Sequence, residues 1–311
     1  MPSRFITQVG ALVALALPVA LLQAASAAEA APSVVLFDQT STAAPANTDS
    51  NAANFAPSND FGPGSTDRTA DDFTVPVGAT WAINEIDATG AFSGAPSSST
   101  VNAYLYADAA GKPGAEIFSQ KGITTTGAPN FVVPLVGVPS LTAGTYWVTV
   151  QFVTSAGPDY WSWATSTVQR GNPAQWRTEI GVTCSSWAAR ATCWSGTNPD
   201  QAFALKGVDL TPPNVISLGT PKLKKKIGTA VENVTVPGAG TLTLSGQGVV
   251  PQSGTATGAG TVPLKVKAKG AKKRRLDRTG KVTVVVSVTF VPTGGTANTV
   301  TTKIKLRKRV G

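Results

Sequence analysis

Four aspartates lie close together in a glycine-containing segment of the first quarter of the chain, NDFGPGSTDRTADDF. Carboxylate oxygens grouped on such a loop are the ligands that Ca²⁺ prefers. The segment lacks the D-x-[DN]-x-[DN]-G spacing of an EF-hand loop, so two interpretations stay open. Asp67, Asp71 and Asp72 could hold a structural Ca²⁺ ion. Alternatively, and this is the favoured interpretation, the aspartates accept hydrogen bonds in turns.

Paired carboxylates can also perform general acid/base catalysis. Hydrolysis of a glycoside requires two carboxyl groups roughly 5–10 Å apart in a cleft. The candidate pairs are Asp71 with Asp72 and Glu85 with Asp87. Adjacent residues of a strand point to opposite faces, which argues against the first pair. We therefore assign no catalytic residue, and a carboxylate-dependent polysaccharide-degrading enzyme stays an alternative.

The chain contains no histidine. This absence excludes Ser-His-Asp and Cys-His nucleophilic sites as well as zinc sites that use histidine. Neither a G-x-S-x-G elbow nor a Walker-type phosphate loop is present. The sequence therefore predicts a non-catalytic protein without a cofactor, with structural Ca²⁺ as the open alternative.

Six of the seven tryptophans lie between residues 147 and 194. Exposed aromatic rings bind sugar rings by apolar contact, so these residues could form a ligand platform. Trp161 and Trp163 share one strand face and could belong either to a core or to the platform. Trp187 and Trp194 lie in or just after the segment between the two cysteines and are expected to be exposed. The candidate platform consists of Trp161, Trp163, Trp187 and Trp194.

Basic residues concentrate in three stretches, residues 222–226, 265–278 and 303–309. Such a charge density predicts electrostatic adhesion to anionic cell-wall polymers or polysaccharide, which salt would weaken. The alternative is a solvated surface whose lysines protect edge strands from aggregation. Specific nucleic-acid recognition is not expected, because interleaved aromatic residues are missing. The candidate polyanion-binding residues are Lys224, Lys225, Lys226, Lys265, Lys267, Lys269, Lys272, Lys273, Arg274, Arg275, Lys303, Lys305 and Arg307.

The charge changes sign along the chain. Residues 29–210 carry 7 Lys and Arg against 15 Asp and Glu, whereas residues 211–311 carry 18 against 2. The change falls at the sequence TPPN, whose prolines are typical of an extended linker. We predict an acidic domain at 29–210, a linker at 211–214 and a basic domain at 215–311. Docking of the acidic domain on the basic one is an alternative use of the charges.

The first 28 residues resemble a secretory signal. Arg4 precedes an apolar stretch of twelve residues, 11–22, and the tripeptide Ala25-Ser26-Ala27 follows it. The stretch is shorter than the roughly 20 residues that span a bilayer, so we predict a cleaved signal peptide at 1–28. The mature chain is then secreted, with retention at the cell surface left open, and has no transmembrane segment. In an exported chain, Cys184 and Cys193 are predicted to form a disulfide.

Short alternating runs rich in Val, Thr and Ser, together with 31 Gly and 22 Pro, predict an all-β fold. ADDFTVP (70–76), VNAYLYADAAGKPG (101–114), LTAGTYWVTV (141–150) and AFALKG (202–207) follow the order of a jelly-roll-like β-sandwich of secreted bacterial proteins, which they resemble. GTLTLSGQGV (240–249) and residues 288–309 resemble a small immunoglobulin-like domain of exported bacterial proteins. The resemblance implies two β-sandwich domains after a signal peptide, and extracellular modules that are usually non-catalytic.

Together these features predict a secreted, non-catalytic binding or adhesion protein of the cell envelope or of extracellular polysaccharide. The acidic domain would present a recognition surface, and the basic domain would hold the protein near anionic surfaces. A purely structural surface protein is the second alternative, beside the polysaccharide-degrading enzyme.

Overall fold

The computed structural model describes residues 32–44, 55–57, 59–60, 66–92, 100–154, 161–179, 184–193 and 198–309. For residues 55–57 and 59–60 it describes the backbone alone. The predicted signal peptide and Trp194 lie outside the described residues, so both stay predictions. Within the described ranges, no helix is long and apolar enough to cross a membrane.

The fold is all-β, as the sequence predicted, and nearly all strand pairs are antiparallel. The strands are β1 (Val34–Asp38), β2 (Phe55–Pro57), β3 (Asn59–Asp60), β4 (Asp67–Ala88), β5 (Gly90–Phe92), β6 (Thr100–Asp108), β7 (Pro113–Thr124), β8 (Phe131–Pro134), β9 (Leu141–Val153), β10 (Trp161–Ser166), β11 (Gln175–Thr178), β12 (Ala188–Ala189), β13 (Asp200–Gln201), β14 (Phe203–Asp209), β15 (Ser217–Leu218), β16 (Lys222–Lys224), β17 (Thr229–Val236), β18 (Gly240–Ser245), β19 (Gln252–Ala256), β20 (Gly260–Lys267), β21 (Lys281–Pro292) and β22 (Asn298–Arg307). The helices are a 3-10 turn (Thr40–Thr42), α1 (Arg190–Cys193) and α2 (Gly270–Thr279).

The first sandwich contains β1 to β14. Its main sheet runs in the order β1-β14-β4-β9-β6-β7, with β3, β8, β11 and β12 attached, and a smaller sheet joins β13, β10, β2 and β5. The first part of strand β4 follows the period-2 rule, because Phe73 and Val75 enter the main core whereas Ala70 packs on the opposite face. Tyr104 and Tyr106 of β6 also lie on that opposite face, with Trp147 of β9. The main sheet is therefore covered on both faces.

The second sandwich contains β15 to β22 and has a hydrophobic core of its own. One sheet places β17 between β20 on one side and β15 and β16 on the other, and the second sheet runs β19-β18-β21-β22. The predicted alternation is confirmed: Val282 and Val284 are buried, and Lys281 and Thr283 between them are exposed. Burial of one face of each strand specifies the register of these sheets.

One element departs from the all-β pattern that the sequence predicted. Residues Gly270–Thr279 form helix α2, of which only Leu276 is buried. The helix ends at Gly280, whose φ of 66° lies in the left-handed region that glycine adopts without strain. Lys269, one of the candidate polyanion-binding residues, immediately precedes this helix. A short helix with a single buried residue has too little apolar periodicity to be detected from the sequence.

The predicted disulfide is confirmed. Cys184 and Cys193 are bonded, with their Cα atoms 6.1 Å apart. The closed loop contains β12 and α1, which lie beside β11 of the first sandwich. The disulfide thus closes a short loop at the edge of the sheet.

Candidate functional site

The basic residues of the second sandwich gather at one of its ends. Strands β16, β20 and β22 end there, β17 and β21 begin there, and α2 connects β20 to β21. The Arg309 N–H donates to the Lys225 carbonyl (2.9 Å), which joins the two sheets at this end. By contrast, residues 233–264 and 282–302 contain no charged side chain. We call the following residues the basic end: Lys222, Lys224, Lys225, Lys226, Lys265, Lys267, Lys269, Lys272, Lys273, Arg274, Arg275, Arg278, Lys281, Lys303, Lys305, Arg307, Lys308 and Arg309.

On the first of its sheets, four lysines form two cross-strand rows. Lys224 and Lys267 both pair with Thr229, and Lys222 and Lys265 both pair with Val231. All four lysines are exposed. Two strand spacings separate the lysines of a row, so their Cα atoms lie about 10 Å apart.

On the second sheet, the exposed face of β22 carries Lys303, Lys305 and Arg307, and Ile304 and Leu306 between them are buried. Arg307 pairs with Lys281 of β21. The outer faces of both sheets are therefore cationic at the same end, and the inner faces form the core.

The two acidic residues of the second sandwich do little to offset this charge. Asp277 binds Lys273 and Lys308 at 2.6 Å each, and hydrogen bonds from these two lysines lower its pKa to about 2. Glu232 points into the sandwich and is fully buried, and burial raises its pKa. The remaining lysines and arginines of the basic end have no carboxylate partner within the described part of the chain.

The ion pairs give no support to docking of the acidic domain on the basic end. Among the described residues, Lys206 binds Glu85 and Asp87 within the first sandwich, and the other ion pairs are those of Asp277. Lys272 and Lys308 are half-buried, and the other side chains of the basic end are exposed.

The predicted tryptophan platform is not formed by Trp161 and Trp163. Both side chains are fully buried in the main core of the first sandwich, where their rings stack 6.2 Å apart. Their indole N–H groups donate to the carbonyls of Pro129 and Ala202 (2.9 Å each). Of the two interpretations left open for this pair, the one that places both residues in a core is correct. Trp187 is half-buried against Tyr106, and Trp194 lies outside the described residues.

The predicted Ca²⁺ ligands are not brought together. Asp71 lies on the core side of β4, Asp72 on the opposite side against Asn172, and Asp67 bonds to Thr178. Adjacent positions of one strand cannot converge on an ion. Within the described ranges, no three acidic, cysteine or histidine side chains could hold a metal. The aspartates accept hydrogen bonds, as in the favoured interpretation, but they do so from strand β4 and not from turns.

Asp71 instead belongs to a buried polar cluster that the sequence did not reveal. Its Oδ2 accepts from the Gln39 amide and from the Gln201 N–H (2.7 Å each). Asp200 is also fully buried and accepts from the Arg170 N–H, and the buried guanidinium of Arg190 interacts with both carboxyl groups. These partners come from β13, from the loop after β1 and from α1, so only the folded chain assembles them.

Burial controls the protonation of this cluster. It raises the pKa of Asp71 well above its usual value, and the nearby charge of Asp200 adds to the effect. Burial also raises the pKa of Asp200 to about 7, although the hydrogen bond from the Arg170 N–H opposes the change. At neutral pH the two carboxyl groups therefore retain a proton between them. Because both groups are fully buried, their ionisation affects the stability of the fold and not a solvent-exposed site.

We expect the protein to be less stable at pH 8 than at pH 5. A carboxyl group with a raised pKa contributes stability that is complete below about pH 4, its unfolded value, and is lost as the pH rises through about 7. No histidine titrates in this window. The melting temperature should fall by roughly 3–8 °C between pH 5 and pH 8, measured by calorimetry.

Asp200→Asn should flatten this pH dependence, and Glu179→Gln, a change at an exposed residue, should leave it unchanged. A wild-type melting temperature that is constant or rises from pH 5 to pH 8 would contradict the assignment of the proton.

The fold and the basic end define an all-β protein of β-sandwich domains with one strongly cationic end. No protein-family model and no curated protein matches the chain. Among solved structures, a GH2 β-galacturonidase from Eisenbergiella tayi, bound to galacturonate, matches with a TM-score of 0.20 and 11% identity. The match covers 76% of this chain and 35% of that enzyme, so the chain spans about a third of its length. A likeness at this TM-score establishes neither activity nor substrate.

Proposed function

We propose that this is a secreted, non-catalytic binding protein of the cell envelope or of extracellular polysaccharide, held to anionic polymers by its basic end. One observation carries the proposal: all 18 Lys and Arg of residues 211–311 belong to that end of the second sandwich. Lysines that served solubility alone would be scattered over the surface of the sandwich. Residues 233–264 and 282–302, however, contain no charged side chain.

The spacing of the charges supports a polymeric partner. Lysines of one cross-strand row lie about 10 Å apart, close to the Debye length of about 8 Å at physiological ionic strength, so the fields of neighbouring groups overlap. The exposed charges cover two sheet faces and a helix, and a flexible polyanion can follow such a surface. A single small anion would use only a fraction of it.

The strand order supports the two module types of the proposal. In the second sandwich, the separation into β15/β16-β17-β20 and β19-β18-β21-β22 is compatible with an immunoglobulin-like module. We infer a jelly-roll-like module for the first. Secretion rests on the signal sequence and on the Cys184–Cys193 disulfide, which is typical of oxidising compartments.

Binding of the full mature chain to immobilised heparin, a sulfated polysaccharide, tests the proposal. We expect retention at 50 mM NaCl and elution at several hundred millimolar, because salt screens charges of this kind. Passage through the column without retention at 50 mM NaCl would overturn the proposal. Retention that is insensitive to salt would also contradict the electrostatic mechanism.

A further inference from the structure

Two arginines face each other in the acidic first sandwich. Arg68 of β4 and Arg177 of β11 are directly paired across antiparallel strands. Both are half-buried, in a segment that contains only 7 Lys and Arg. Like charges directly opposite each other destabilise a sheet, and burial removes the water that would screen them. This arrangement therefore calls for a compensating interaction.

Aromatic rings hold both guanidinium groups. The Arg68 Cζ lies 4.1 Å from the centroid of the Tyr104 ring, and the Arg177 Cζ lies 4.8 Å from that of Trp187. Tyr106 connects these two rings: it stacks on Tyr104 (6.2 Å between centroids) and meets Trp187 edge to face (5.7 Å). The two arginines thus border a continuous aromatic cluster, in which Tyr104 and Tyr106 are buried and Trp187 is half-buried. Guanidinium groups fixed on rings lose little entropy when they bind a ligand.

The polar groups of this cluster are incompletely satisfied. Arg68 Nη2 donates to the Tyr104 hydroxyl (3.3 Å), but the buried Nε atoms of Arg68 and Arg177 have no partner of good geometry among the described residues. The buried hydroxyl of Tyr106 interacts with Arg68, but without a hydrogen bond of good geometry. No described carboxylate lies within 4.0 Å of either arginine. Buried donors left without an acceptor cost free energy, and the described part of the chain supplies no anion to balance the two arginines.

We propose that Arg68 and Arg177 bind the oxyanion of an acidic sugar, either a uronate carboxylate or a sulfate ester. Guanidinium groups donate two parallel hydrogen bonds to such anions, and two facing arginines supply both the charge and the donors. Trp187, which is half-buried, offers the apolar contact that a sugar ring requires, and Tyr106 supports it from the buried side. The site is separate from the basic end. It gives the acidic sandwich a specificity for the type of sugar unit.

Titration calorimetry with D-glucuronate, glucose 6-sulfate and glucose tests this site on the full chain. We expect one or both anionic sugars to bind at least about tenfold more tightly than glucose. The ratio of the dissociation constants of the two anionic sugars identifies the preferred anion. Arg68→Gln and Arg177→Gln should each weaken binding at least about tenfold, which corresponds to about 1.4 kcal/mol. Arg278→Gln, a matched change at an exposed residue of the basic end, should leave it unchanged. Equal binding of glucose and both anionic sugars would overturn the proposal, and so would sensitivity to Arg278→Gln alone.

A second measurement needs no variant and therefore does not depend on how the substitutions affect folding. Phenylglyoxal modifies accessible arginines, and mass spectrometry reports the modified positions. The anionic sugars should protect Arg68 and Arg177 but not Arg278, and glucose should protect none of them. Modification of Arg68 and Arg177 that no sugar changes would overturn the site. Because heparin retention depends on other residues, failure here leaves the proposed function intact, and the converse also holds.

Discussion

Replacing Lys224, Lys265 and Lys267 together by glutamate should weaken binding of the full chain to heparin at least about 100-fold at 100 mM NaCl. The three residues lie on one exposed sheet face, and the change converts three positive charges into three negative ones. Affinities of polyanion complexes depend steeply on the number of cationic contacts, as they do for proteins on nucleic acid. Binding measured by surface plasmon resonance over a salt series should also show a smaller salt slope for the variant.

A matched pair of single changes separates position from net charge. Lys267→Glu and Lys121→Glu alter the net charge equally, and both side chains are exposed. Lys121 belongs to β7 of the first sandwich, however. We expect Lys267→Glu to weaken binding severalfold and Lys121→Glu to have little effect. Equal losses would mean that net charge alone controls binding, which would refute a localised cationic surface.

Trp163→Ala should lower the free energy of unfolding by about 3–5 kcal/mol. The side chain is fully buried, packs against Trp161 and Phe203, and donates its indole N–H to the Ala202 carbonyl. Removing it leaves a large cavity and removes one of the two hydrogen bonds that the Ala202 carbonyl accepts, the other coming from the Thr89 N–H. Urea denaturation followed by circular dichroism measures the loss.

Two control variants define the cause of this loss. Trp163→Phe keeps most of the buried volume and should cost about 1–2 kcal/mol, mainly for the lost hydrogen bond. Val77→Ala changes a side chain that is 89% exposed and should cost less than about 0.5 kcal/mol. A loss below about 1 kcal/mol for Trp163→Ala would show that this tryptophan lies on the surface after all.

Alternation along the strands explains how much of the fold could be predicted from the sequence. Lys265 and Lys267 are exposed and Val266 between them is buried, as a period of two requires. The same rule placed Trp161 and Trp163 on one face, but it does not say whether that face is buried. That depends on the strands packed against β10, which lie far away in the chain.

The polar sites were not predictable because long-range contacts assemble them. Gln39 reaches Asp71 and the Gln201 carbonyl across 32 and 162 residues. The pairing of Arg68 with Arg177 depends on the register between β4 and β11, which no local pattern encodes. Isolated charged residues in an acidic segment give no signal of such a pair. The basic end was easier to detect, because its residues form dense runs in the sequence.

Lysine footprinting of the heparin complex tests the central claim most directly. The full chain is acetylated at 50 mM NaCl with and without heparin, and mass spectrometry reports the reactivity of each lysine. We expect heparin to protect exposed lysines of the basic end, including Lys224, Lys267 and Lys305, and to leave Lys112 and Lys121 of the first sandwich reactive. Protection of Lys112 and Lys121 with continued reactivity of the basic end would contradict the account.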